Sequence, residues 1–134
     1  MTLPPHHGNL NTGLNLFNRG RFFDAHEVLE DVWRSLPRDR PMRRHLQGMV
    51  QLAVAFHHQS TGNHVGARSV LERAIRNLNG ADSSFPELDL ERLRADLEPW
   101  RRYLDNSHGN LAAATARDVR RRVVPALPKI LRRR

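Results

Sequence analysis

The chain contains no cysteine, which excludes disulfides, thiolate metal sites and cysteine nucleophiles. No apolar run approaches the ~18 residues of a membrane-spanning helix. The N-terminal stretch MTLPPHHGNL has neither a basic start nor an apolar centre, so no signal peptide is expected and the cytoplasm is the default compartment. Nothing alternates β-branched and polar residues in the manner of a strand. No serine–histidine–acid set or glycine-rich phosphate loop is visible. Lysine is nearly absent: Lys129 stands alone against 21 arginines, a bias that genome composition alone can produce.

The net charge of +8 is unevenly placed. Residues 1–116 hold 14 arginines and 13 carboxylates, whereas residues 117–134 hold eight basic residues and one acidic one. The basic character therefore belongs to a C-terminal extension rather than to the 1–116 domain. With 134 residues, one domain with a real core is expected.

Helical patterning accounts for most of that domain. Asn9 to Arg19 reads as a helix stopped by Gly20, and Phe22 to Leu36 as a second stopped by Pro37. Pro41 suits a helix first turn and opens a third helix running to Ser60. Its centre, MVQLAVAF, is apolar nearly all round, which makes Met42–Ser60 the central helix. Asn63 can cap a fourth helix ending at Leu78. Asp89 to Asp105 is a fifth, which Pro99 should kink or divide, and Asn110 to Val124 a sixth. Gly20, Ala25, Leu29 and Glu30 recur 42 residues on as Gly62, Ala67, Leu71 and Glu72, the mark of a repeated helical hairpin. The expected fold is all-α: a compact bundle of about five or six helices, built from two hairpins around a central apolar helix.

The second helix carries an H-x-x-x-E-x-x-W pattern in His26, Glu30 and Trp33. His26 fills the missing step of the stripe Phe22, Leu29, Trp33 and Leu36, so it should point inward, with Glu30 about 40° further round. An imidazole and a carboxylate one turn apart can bind a metal, form an acid–base pair or close a buried polar network. Trp33 reads first as core packing. This is not the zinc-protease H-E-x-x-H, because position 30 is not histidine. On the central helix, Gln51 and His58 share a face seven residues apart, so His26, Glu30 and His58 are candidate ligands for one divalent metal (zinc, manganese or iron), with Trp33 and Gln51 lining the pocket. His57 falls about 100° from His58 and is set apart. His6, His7, His45, His64 and His108 fall near helix ends or loops and read as surface residues.

The segments FNRGRFFDAHEVLEDVWR and RRHLQGMVQLAVAFHHQSTGNHVGARSVL resemble the prokaryotic family known as domain of unknown function 309. The first carries its signature as His26, Glu30 and Trp33; the second its further elements as Gln47, Gly48, His58, Gly62 and Asn63. The resemblance covers about residues 9–80. It implies a small all-helical fold with no assigned reaction, and metal binding as the role suggested for the signature.

Two functional classes stay open. One is a metal or small-ligand pocket at the motif, with metal-assisted hydrolysis as the chemistry if it is catalytic. The other is a non-enzymatic, tetratricopeptide-like interaction module whose tail contacts a protein partner, a second copy or nucleic acid through Arg120, Arg121, Arg122, Arg132, Arg133 and Arg134. Against nucleic acid, the tail lacks aromatic stacking residues. Its interleaved apolar residues, Val123, Val124, Leu127, Ile130 and Leu131, suit packing against the bundle or a partner.

Overall fold

A computed structural model describes residues 5–109 and 123–134. Five helices follow one another: α1 (Pro5–Asn18), α2 (Phe22–Ser35), α3 (Pro41–Ser60), α4 (His64–Asn77) and α5 (Leu90–Gly109). A 3-10 turn, Ala81–Ser83, lies in the connection before α5. Among the described residues no strand forms, and no helix is long and apolar enough to cross a membrane. The all-α bundle is as expected.

The two hairpins repeat down to their hydrogen bonds. Gly20 and Gly62 sit at φ +80° and +84°, where a side chain would be strained. After each glycine the chain bonds back five residues: the Arg21 N–H to the Leu16 carbonyl at 2.9 Å, and the Asn63 N–H to the His58 carbonyl at 2.8 Å. Ala25 and Ala67 then bury completely, as do Leu29 and Leu71. The first hairpin gains closeness from Gly13, where a Cβ would lie 2.5 Å from a methyl of Leu29. The second gains it from Gly48, where a Cβ would lie 2.9 Å from Leu78. The Asn63 side chain accepts the Gly66 N–H at 3.0 Å, giving α4 the cap its sequence announces.

Helix α3 packs against α2 on one side and α4 on the other. It buries Leu46, Met49, Leu52, Ala53 and Phe56, so it is the central element in fact. Phe56 meets Phe17 of α1, Phe22 of α2 and Trp100 of α5 at ring separations of 6.2, 5.6 and 5.1 Å. One aromatic cluster thus ties four helices together.

Pro99 does not divide the fifth helix, which is continuous through it. Leu93, Leu97, Trp100 and Leu104 bury on both sides of the proline, and that packing outweighs the lost backbone bond. The sixth helix falls largely outside the described residues, and Val123 and Val124, its described end, are not helical.

The segment 123–134 runs without regular structure across α1, α5 and the connection before α5. It makes one antiparallel bridge, Leu88 with Arg132. Ile130 is buried within the hydrophobic core.

Candidate functional site

On α2 the residues buried against α1 and α3 are Phe22, Ala25, Leu29 and Val32. That arc is centred away from the stripe drawn through Trp33, because two neighbouring helices cover α2 instead of one. His26 and Glu30 consequently lie at its edge, each side chain 27% exposed, and His26 does not point into the core. The His26 Nε2 lies 2.8 Å from a Glu30 carboxylate oxygen, and Arg34 donates to the other oxygen at 2.6 Å. Glu30 is thus gripped one turn before and one turn after itself on a single helix face.

The depression over this face has a volume of about 280 Å³ and is lined by Phe23, His26, Glu27, Glu30, Asp31 and Arg34, all from α2. Phe23 stands at its rim, 52% exposed. The Phe23 ring lies 6.0 Å from that of His26 and 5.3 Å from that of His57 on α3. His57, set apart in the sequence reading, is therefore the α3 histidine on the motif's side.

Gln51 and His58 do share one face of α3, but it is the face toward α4. Gln51 accepts from the Asn77 amide at 2.8 Å, and Nδ1 of His58 lies 3.4 Å from the Asn63 amide nitrogen. Gly48 and Arg44 continue the row, Gly48 against Leu78 and Arg44 donating to the Arg76 and Asn79 carbonyls. Among the described residues no group of three His, Asp or Glu is placed to hold a metal ion. Among the described residues, then, His26, Glu30 and His58 are not brought together as a three-ligand set.

Trp33 is partly buried against the core and absent from the depression beside His26. The Arg43 guanidinium stacks over its ring, 4.3 Å from the centroid. Among the described residues neither the Trp33 indole nitrogen nor Arg43 Nε has a hydrogen-bond partner, although both are buried.

In the basic extension, Arg120, Arg121 and Arg122 lie outside the described residues. Arg132 donates to the Asn11 side chain at 2.9 Å. Arg133 donates to the Leu88 carbonyl at 3.1 Å and pairs with Asp82 at 3.7 Å. Two of the three terminal arginines are thus engaged by the chain's own domain; Arg134 is exposed.

One polar pair escaped the sequence reading. His45, expected at the surface, is 2% exposed, and its Nδ1 lies 2.6 Å from the Ser84 hydroxyl. Ser84 lines a cleft of about 510 Å³ with Leu36, Pro37, Arg40, Pro41 and Met42. Helical spacing held the signal: His45, Met49, Leu52 and Phe56 form one buried row.

Residues 10–70 match the model of a family described as Domain of unknown function (DUF309), so the resemblance read from the motifs is borne out over that stretch. An uncharacterized protein of Aquifex aeolicus (strain VF5) is 30% identical over 82 residues, which cover 61% of this chain and 24% of that protein. The uncharacterized protein YpuF of Bacillus subtilis (strain 168) is 33% identical over 73 residues, covering 54% of this chain and 41% of the relative. The chain spans well under half the length of these two relatives.

Proposed function

We propose that the chain is a non-enzymatic helical-hairpin interaction module whose α2 face docks a helix of a partner protein. The observation that carries this reading is the single-helix origin of the site: every residue lining the motif depression comes from α2. A catalytic chamber or metal centre draws its groups from several elements so that they converge. Here the groups form a row along one helix, open to solvent.

The row also has the chemistry of a docking surface. Phe23 supplies an exposed aromatic anchor beside the His26 and His57 rings. Glu27 and Asp31 flank it with negative charge. The partner that fits is an amphipathic helix placing one large apolar residue on Phe23 and a lysine or arginine near Glu27 and Asp31. The His26–Glu30–Arg34 chain holds the face rigid, which lowers the ordering cost of binding. The matched segment also occurs within longer relatives, as suits a module.

The test is a photo-crosslinking amino acid at position 23 of the full chain in its host, compared with one at exposed Val65 on α4. A protein captured from position 23 alone, and lost on Glu27→Arg, supports the reading. Equal capture from both positions, or none, overturns it. Elemental analysis of untagged protein tests the metal alternative, which retains His26 and Glu30 and needs a ligand from elsewhere. A near-stoichiometric metal that disappears in His26→Ala would replace the docking reading with a metal site.

A further inference from the structure

The segment 123–134 lies on the bundle as a bound peptide would. The Asn18 side chain donates to the Ile130 carbonyl at 2.9 Å and accepts the Ile130 N–H at 2.7 Å. One amide therefore reads both polar groups of a single peptide residue, 112 positions away in sequence. The Asp89 N–H donates to the Leu131 carbonyl at 2.7 Å, and the Trp100 indole donates to the Ala126 carbonyl at 2.8 Å. Between those backbone contacts, Pro128 and Ile130 enter the bundle at alternate positions. Backbone bonds for affinity and alternate side-chain pockets for selectivity are the means by which folded domains recognise extended peptides.

We propose that this groove is a peptide-binding site, filled in cis by the chain's own segment and able to take the same segment from a second copy. Every contact just described belongs to residues of the segment and of the groove, so a second copy makes each of them unchanged. In the cis form the covalent link through residues 110–122 contributes local concentration. Val123 and Val124, just before the docked portion, are 85% and 53% exposed, apolar surface that an exchanged pair can cover. Exchange of an identical element between copies needs no interface that the monomer lacks.

Two full-length variants separate the groove from its ligand. Asn18→Ala breaks the groove and keeps the segment; Ile130→Asp keeps the groove and breaks the segment. Each alone has a weakened cis pairing, while a mixture offers one intact pair. Sedimentation velocity should find monomers in each single sample and a 1:1 complex in the mixture, with circular dichroism confirming that both chains are helical. Should Ile130→Asp fail to fold, Ile130→Ala takes its place, with a fluorescent peptide of residues 123–134 as probe. That peptide should bind Ile130→Ala at least tenfold more tightly than a chain carrying both Ile130→Ala and Asn18→Ala. Monomers in the mixture of folded chains, or equal peptide affinity for the two variants, overturn the proposal. A dimer of Ile130→Asp alone also overturns it, because association would then lie elsewhere.

Discussion

His45 on α3 and Ser84 in the connection before α5 meet at 2.6 Å and pin that connection to the central helix. Arg44 Nη2 lies 3.3 Å from the other ring nitrogen, which brings a fixed positive charge against the imidazole. Burial pushes the His45 pKa below its ordinary value of 6.5 and Arg44 pushes the same way, while the Asn79 carbonyl and Asp82 oppose them.

A pKa depressed in the folded state means that the unfolded chain binds the proton more readily. The stabilisation from neutral His45 is complete above pH 6.5 and is lost as the pH falls below it toward the folded value. The melting temperature should therefore drop as the pH falls below 6.5, and His45→Gln should flatten that limb. Parallel acid limbs for the two proteins would assign the drop to other groups.

Gly48 is where α3 and α4 come closest. A Cβ there meets Leu78 at 2.9 Å and the Ala74 carbonyl at 3.1 Å, and the latter is backbone that cannot swing aside. Alanine gains about 1 kcal/mol of helix propensity over glycine. Forcing a methyl into a packed seam costs about 1–3 kcal/mol. Gly48→Ala should therefore range from neutral to destabilising by about 2 kcal/mol in urea unfolding. A variant more stable than wild type would show that the two helices can part without cost.

His26→Ala offers a sharper test of the motif's structural weight. A fully buried pair would leave Glu30 stranded and cost about 1–3 kcal/mol. Here both side chains are 27% exposed and Glu30 keeps Arg34 at 2.6 Å. Water and Arg34 satisfy the carboxylate that remains, so the loss should stay below about 1 kcal/mol. A loss above 2 kcal/mol by chemical denaturation would mean that the motif is a core network and not a surface row.

The hairpins were legible because their devices are local. Gly20 and Gly62 make the turns, and Ala25 and Ala67 the close approaches, each set within a few residues of its helix. The face of a helix was less legible, since it depends on how many neighbours cover it. His26 was placed inward by a stripe drawn for one neighbour, and two neighbours rotated the buried arc toward Ala25 and Val32. Gln51 and His58 were assigned a common face correctly, but which helix that face meets is a tertiary fact, set by Gly48 against Leu78. The apolar residues of the tail already suit packing on the bundle, but that Ile130 meets Asn18 of α1, 112 residues away, lies beyond local pattern.

Trp33 is the third residue of the motif, and its indole nitrogen separates packing from recognition. The nitrogen is buried without a partner among the described residues, while the ring face carries the Arg43 guanidinium at 4.3 Å. An unpaired buried donor costs about 1–3 kcal/mol, so removing it returns part of what the smaller ring gives up. Phenylalanine also preserves an aromatic face for Arg43, with weaker attraction than tryptophan. Trp33→Phe should therefore lie within about 1 kcal/mol of wild type, while Trp33→Ala, which also removes the face, should lose about 2–4 kcal/mol. Both are read by urea unfolding at pH 7.5, with Arg43→Gln as a third variant expected to fall between them. If Trp33→Phe proves as costly as Trp33→Ala, the indole N–H is engaged in the folded protein. Trp33 would then have to be added to the recognising groups of the motif rather than to its packing.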